Sequence, residues 1–335
     1  MATNVLTPSF SHTYAGKELL KPLFYAPQVE GKNPFDNYQV LPDVKTKVNI
    51  YIPNALSKVL REDSGCGFSA AGTTTITDKT ITPTNVKVNV EICSEEFNQQ
   101  IFAETYRAGN DRKDIQGTLI DQVIKNLLVG AMGHDIPSIV WWGDAADADL
   151  FFGIMDGFVE VFQDAAATIG DEITMTGTFV TAGVYDADGA LGVLRQMYSD
   201  QSATLRAVPR TEKKLYVTPT TVDNLLTSYE NTGTDSGLAR LAEGVSKLSF
   251  RGIEIIEMSD WAVDLADAAN PQAGAIGNNM IVLTPPQNLV IASDVSQEQV
   301  AKSWYDENEE LVKFKINMKL GANIVHDELV SWAHD

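Results

Sequence analysis

The sequence predicts an α+β fold with projecting parts, and three observations carry that prediction. Two segments alternate strictly between apolar and polar residues and flank a long Gly-, Ser- and Thr-rich stretch. A third segment carries an apolar stripe at helical spacing over about five turns. A strongly acidic region then switches repeatedly between strand-like and helix-like patterns.

The chain has 335 residues, enough for one large domain or two modest ones at roughly 150 residues each. A chain of that length buries a core without covalent staples. Hydrophobic residues make up 44% and charged residues 21%, ordinary globular values that exclude a wholly disordered chain. The two cysteines, Cys66 and Cys93, exclude a disulfide scaffold. A bridge between them stays open, with reduced thiols the expectation in a cytoplasmic setting. The formal net charge of −20 argues against a protein that grips nucleic-acid phosphates. It leaves room for one that lies beside nucleic acid without adhering. Met1–Tyr14 lacks the basic and apolar regions of a signal peptide. The richest apolar stretch, Leu150–Phe162, is interrupted by Gly153, Asp156, Gly157 and Glu160, so no membrane partner is expected.

Residues 1–40 carry Pro8, Pro22, Pro27 and Pro34 among the aromatics Phe10, Tyr14, Phe24, Tyr25, Phe35 and Tyr38. The prolines oppose helix and central strand, and the aromatics suit an extended arm that packs on another surface. Residues 41–93 read as a projecting hairpin. Val44, Thr46, Val48, Ile50 and Ile52 alternate with polar positions in its first strand, and Val86, Val88, Val90 and Ile92 in its second. The 33-residue tip between them, Pro53–Asn85, is long for a structureless connection and is therefore expected to be functional.

Residues 94–150 are expected to hold two helices. Ser94 caps the first, from Glu95 to about Arg107. The second starts after Asp114 and runs through Ile115, Leu119, Ile120, Val123, Ile124, Leu127, Leu128, Ala131 and Met132 to a stop at Gly133. It is long enough to act as a spine. In residues 151–295, helices are expected at Ala190–Met197 and after Thr218-Pro219, with strands at Leu215–Val217, Ile253–Met258 and Met280–Leu283. Residues 230–244 and 262–279 read as polar surface loops. Residues 296–335 are expected to close the chain with a hairpin: a strand through Val312, Phe314, Ile316 and Met318, a turn at Gly321, and a return at Ile324–Val330.

Catalytic patterns are largely absent. There is no phosphate loop ending in Gly-Lys-Ser/Thr, no Gly-x-Ser-x-Gly elbow, and no His-Glu-x-x-His or Cys-x-x-Cys. No cofactor is expected. Asp144, Asp147 and Asp149 form a carboxylate cluster to weigh as a hard-cation site against a plain solvated loop. Asp186-Ala187-Asp188-Gly189 looks like a calcium loop but fails in register, because Val184 and Arg195 fall where acids are needed. His326, beside Asp327 and Glu328, reads as structural.

The order of elements resembles the major capsid proteins of tailed bacteriophages, the Hong Kong 97-like fold. Local strings carry the same likeness. Trp142-Gly143-Asp144 and Phe151 to Phe158, through Asp156-Gly157, look like the family's passage from spine to axial domain. Leu194–Tyr198, Leu215–Pro219 and Leu225-Leu226 resemble its helix–strand–helix core. Phe250–Ile255 and Asn279–Ile291 resemble two of its strand passages, with Ala292 where glycine is frequent.

The resemblance implies an N-terminal arm (1–40), an extended loop (41–93), a peripheral domain with the spine helix (94–150), an axial domain (151–295) and a return to the peripheral domain (296–335). It implies a structural protein rather than an enzyme, self-assembling as pentamers and hexamers into an icosahedral shell around packaged DNA, with no sequence-specific DNA contact. Portal, scaffolding and decoration proteins are the implied partners. The implied location is the virion, after assembly in the host cytoplasm. Phe10, Tyr14, Phe24 and Tyr25 of the arm and Lys58, Leu60, Arg61 and Phe68 of the loop tip become candidate contacts between subunits. An encapsulin-type compartment shares the fold, and an acidic adhesin or surface-layer protein is the rival of another class.

Overall fold

A computed structural model of the chain describes residues 37–42, 44–53, 60, 76–93, 119–231, 248–294, 302–306, 308–309 and 311–335. Two sheets organise these residues. The first is five-stranded and is built on β14 (Leu311–Ile324). One side of β14 pairs antiparallel with β4 (Thr84–Cys93) over ten register positions, from Leu311 opposite Cys93 to Leu320 opposite Thr84. Its other side takes β13 (Lys302–Asp306) and then β12 (Leu289–Ser293), and β1 (Gln39–Leu41) lies parallel to β12. The alternation read from the sequence is visible in burial. Val86, Val312, Phe314, Ile316 and Met318 are buried while Lys87, Asn89, Lys315 and Asn317 are exposed.

Two expected pairings are corrected here. The strand at Val48–Pro53 (β2) does not pair with β4. Its partner is β3 (Ile76–Ile81), antiparallel, with Val48 opposite Ile81. β3 (Ile-Thr-Asp-Lys-Thr-Ile) is apolar only at its ends, so its pattern hid inside the presumed loop. β4, freed from the hairpin, buries its apolar face against β14 instead. The terminal hairpin is also absent: β14 runs straight through Gly321. A side chain at Gly321 would meet Pro83 Cα at 3.1 Å and Ile81 Cγ2 at 3.2 Å, so that glycine permits a close approach of the β3–β4 turn rather than a reversal.

The second sheet is six-stranded, in the order β5 (Asp171–Thr174), β15 (Ser331–His334), β11 (Met280–Thr284), β8 (Lys214–Val217), β10 (Ile253–Glu257), β9 (Ser249–Phe250). β11 and β8 are buried at nearly every position, the continuous apolar runs of central strands. A two-residue ribbon, β6 (Val180–Thr181) with β7 (Val184–Tyr185), lies outside both sheets. β15 joins this sheet while β12 and β14 join the other, so the chain crosses between the two sheets repeatedly.

The long helix α1 spans Leu119–Trp142 and holds 24 residues, about 36 Å at 1.5 Å each. It passes the expected stop at Gly133. Pro137 lies four residues further on, and its missing N–H leaves the Gly133 carbonyl without its helical donor. Helix continues because burial, not propensity, holds its last turns: Ile136, Ile139, Val140, Trp141 and Trp142 are all buried. Leu128 is buried as expected, but Leu127 is exposed. Shorter helices follow: α2 (Phe158–Asp164), α3 (Gly189–Asp200), α4 (Ala203–Ala207) and α5 (Pro219–Asn231). The helices expected around 190–197 and after Pro219 are thus present. Residues 262–279 are not a surface loop. They contain most of α6 (Ser259–Ala266) and all of α7 (Ala273–Ile276), and Asn270, Gln272, Ile276 and Asn279 are buried. Their Ala/Asn/Gly composition misled because the buried amides satisfy backbone groups, as Asn270 Nδ2 does in donating to the Asp264 carbonyl at 2.9 Å.

The expected helix at 95–107, the arm up to residue 36, the tip at 54–75 apart from Leu60, and most of the polar loop at 230–244 lie outside the described residues.

Candidate functional site

The point where the two sheets meet α1 is a cluster of aromatics. Trp141 is fully buried, with ring centroids 4.6 Å from Trp261, 5.1 Å from Phe158, 5.9 Å from Tyr216 and 6.4 Å from Phe162. Most of these contacts are edge-on or tilted, the arrangement the ring quadrupoles favour. Tyr38 closes the cluster. It stacks on Phe158 and Tyr216, and its hydroxyl accepts a hydrogen bond from Trp141 Nε1 at 2.7 Å. The Tyr216 hydroxyl donates to the Asn37 carbonyl at 2.9 Å. Burial pushes both phenols far above the ordinary tyrosine range, so they stay neutral. Tyr38, grouped by sequence with the arm aromatics, therefore belongs to the subunit's own core.

The chain leaves α1 through a tight crossing. Gly157 N–H donates to the Gly143 carbonyl at 2.8 Å, and Asp144 N–H to the Phe152 carbonyl at 3.0 Å. A Cβ at Gly143 would sit 2.2 Å from the Met155 carbonyl, and one at Gly157 2.7 Å from the Trp141 backbone. No side chain fits at either position, which gives the Gly-Asp … Asp-Gly spacing its physical reason.

The carboxylates of this crossing are used locally. Asp149 accepts from Phe151 N at 2.7 Å and Phe152 N at 2.9 Å, which holds it below the usual carboxylate range. Asp147 accepts from Asp149 N, Asp144 from Ala146 N and Asp156 from Ala145 N. Among the described residues no group of three His, Cys, Asp or Glu is placed to hold a metal. The acids at 144, 147 and 149 are loop caps. Asp186 likewise accepts from Thr181 Oγ1 at 3.1 Å, and its carbonyl accepts from Asn224.

Of the candidate contacts, Leu60 is described and is 98% exposed. Phe10, Tyr14, Phe24, Tyr25, Lys58, Arg61 and Phe68 lie outside the described residues, as does Cys66. The root of the hairpin is tied down by an ion pair between Lys79 and Asp327, whose second carboxylate oxygen accepts from Thr168 Oγ1 at 3.0 Å. Tyr51 and Ile76 are exposed on that hairpin. Two groups of side chains escaped the sequence reading. One is the buried Asp264 with its donors Ser138 and Trp142. The other is a run of cations at Arg206, Arg210, Lys213 and Lys214, whose signal was its position just after a stretch of net charge −10. Among the described residues no helix is long and apolar enough to cross a membrane.

No protein-family model matches the chain. No curated protein matches it in sequence. Solved structures do match in fold. A chain of the satellite phage P4 procapsid superposes with a TM-score of 0.58 at 10% identity, covering 98% of this chain and 93% of that one. A chain from the capsid of the native GTA particle gives 0.55 at 13% identity, covering 98% and 95%. A chain of the bacteriophage PhiM1 mature capsid gives 0.53 at 13% identity, covering 100% and 90%. At such identities the likeness speaks for the fold, and it does so over the whole chain. The chain has the α+β fold of these capsid chains, as the order of its elements led one to expect.

Proposed function

We propose that this chain is a structural major capsid subunit whose copies self-assemble, as pentamers and hexamers, into an icosahedral head around packaged double-stranded phage DNA. The observation that carries the reading is the whole-chain likeness to chains of the P4 procapsid and the PhiM1 mature capsid. The role is structural and the setting is the virion. The five-stranded sheet with α1 serves as the peripheral domain and the six-stranded sheet with its helices as the axial domain, so β12, within the expected axial span 151–295, goes with the peripheral part and β15, within the expected peripheral return 296–335, with the axial part. The β2–β3 hairpin is the root of the extended loop, with Lys58, Leu60, Arg61 and Phe68 reaching a neighbour. Phe10, Tyr14, Phe24 and Tyr25 do the same from the arm that leaves at Tyr38.

Physical chemistry supports this reading. A two-stranded ribbon alone is marginal in water, so a hairpin exposing Tyr51 and Ile76 gains from a partner's surface. Heterologous contacts that close into rings build shells from one chain. A wall of net charge −20 per subunit repels phosphates, so DNA can be packed and released without adhering. Portal and scaffolding proteins, with or without decoration proteins, complete such an assembly.

The test is electron microscopy of the purified chain, expressed alone and with its scaffolding partner. Closed shells with five- and six-fold clusters are expected. A monodisperse compact monomer in both preparations, with a radius of gyration near ~20 Å, overturns the proposal. Shells enclosing an enzyme rather than DNA in infected cells point to the encapsulin-type alternative.

A further inference from the structure

The described surface carries a compact cationic cluster on this acidic chain. Tyr198, near the C-terminal end of α3, lies under two guanidinium groups: Arg251 Cζ is 4.6 Å from its ring centroid and Arg210 Cζ is 5.5 Å. Arg210 Nη1 also donates to the Arg251 carbonyl at 3.5 Å. Arg206, on α4, donates to the Ser199 carbonyl. Lys213 is buried behind them, with Nζ on Gln201 Oε1 at 3.0 Å. Burial first, then Arg210 and Arg206, holds Lys213 below the usual lysine range, so these charges crowd one another. Arg251 is presented from the β9–β10 turn with φ +51, a left-handed conformation that a side-chain-bearing residue adopts at a cost. Among the described residues, none of Arg206, Arg210, Lys213 and Arg251 forms an ion pair with a carboxylate. The ring of Tyr198 orders the arginines without neutralising them.

The same chain carries a complementary surface elsewhere. Asp144, Asp156, Glu160 and Asp164 surround the start of α1's exit loop and one face of α2. Glu160 is held above the usual carboxylate range by burial and by the charges of Asp144, Asp164 and Asp156. None of the four has a lysine or arginine partner among the described residues. The cations sit by the β9 edge of the six-stranded sheet and the acids by α2 and the end of α1, with no ion pair joining the two sets within a subunit.

We infer that the Arg206/Arg210/Arg251 cluster on Tyr198 is a docking surface for the carboxylates around α2 of a second copy of this chain, in a head-to-tail contact. The inference rests on the shell reading for its setting. A heterologous contact of this kind repeats around a ring, each copy offering cations to one neighbour and acids to the other. A copy of net charge −20 is itself a polyanion. Nucleic acid is the weaker fit, because Glu212, Glu254 and Asp200 border the cluster in sequence and the cationic patch is too small to track a phosphate backbone.

Three full-length chains test this: R210E/R251E, E160K/D164K, and all four substitutions combined. Folding of each is checked first by circular dichroism and thermal melting. Each pair alone is expected to raise the protein concentration needed for assembly at least about tenfold at low salt, the lower range for close interfacial charge pairs. The combined chain is expected to return near wild type, and high salt to weaken wild-type assembly. Folded variants that assemble like wild type overturn the inference, as does a folded combined chain that fails to recover. So does an R210E/R251E chain that assembles normally but loses binding to a labelled DNA duplex, which assigns the cluster to nucleic acid. If wild type forms no shell, sedimentation of the same chains reports pairwise association. Charge-dependent pairing then keeps this contact while the shell reading falls.

Discussion

Trp142 donates its indole N–H to Asp264 Oδ2 over 3.0 Å, and Ser138, one turn earlier on α1, donates to Asp264 Oδ1 over 2.7 Å. These two bonds fasten the end of the long helix to α6, more than a hundred residues later. The carboxylate is buried and its two oxygens are held by the two donors, with His134 Nε2 4.0 Å away.

Burial raises the Asp264 carboxyl above its ordinary value, against the pull of Ser138, His134 and Trp142, and Asp260 adds to the rise. A folded state that holds its proton more tightly than the unfolded state loses stability as pH climbs from the unfolded value through the folded one. Urea unfolding of the subunit between pH 4 and 7 is therefore expected to show a decline from this group, and Asp264→Asn to remove that component. Asp264→Ala strands two buried donors and is expected to cost about 2–4 kcal/mol at neutral pH, at 1–3 kcal/mol for each unsatisfied group less what relaxation recovers.

Trp141 joins α1, α2, β8, α6 and the Tyr38 segment. Trp141→Ala is expected to cost about 3–5 kcal/mol and to release residues 37–42, read as faster amide exchange there. Tyr38→Phe keeps the stacking and removes one hydrogen bond, with an expected loss of about 1 kcal/mol.

Gly157→Ala places a methyl group 2.7 Å from the Trp141 backbone. The crossing has no flexible side chain to yield, so a loss of stability above about 2 kcal/mol or failure to fold is expected. Gly130→Ala is the control. It lies in α1 with nothing within 4 Å, and alanine's better helix propensity is expected to add about 0.5–1 kcal/mol. Thermal melts of the two variants should shift in opposite directions.

The role of the tip can be tested apart from the subunit body by a loop deletion. Removing residues 57–73 leaves β2, β3 and the Lys79–Asp327 pair in place. The expected result is a folded subunit with an unchanged melt that assembles poorly. Lys79→Ala is expected to cost no more than about 1 kcal/mol of global stability, because the pair is partly exposed. Its effect should show as faster exchange in β2 and β3.

The elements with a strong local period were legible. β4 and β14 alternate cleanly, α3 and α5 follow their apolar faces, and α5 begins at Pro219. Their pairing was not. β2 and β4 share the same pattern, so nothing local distinguishes β3 from β4 as the partner of β2. Only the wide apolar face offered by β14 decides it. The end of α1 was misjudged because Gly133 is a local stop signal, and the burial of Trp141 and Trp142 overrides it, carrying the helix past Pro137 as well. The acids at 144, 147 and 149 look alike as a cation site and as loop caps. The backbone N–H groups that occupy them appear only once the loop is folded.

By itself, the sequence determined the α+β class, the strongly periodic strands and helices, the long helix and the concentration of negative charge, because each follows from composition or short-range periodicity. The tertiary structure decided which strands are neighbours, that Tyr38 belongs to the core, that Asp264 is a buried tie, and that Arg210 and Arg251 converge on Tyr198. Those features depend on contacts between residues far apart in the chain, whose energies come from shared burial and carry no local pattern.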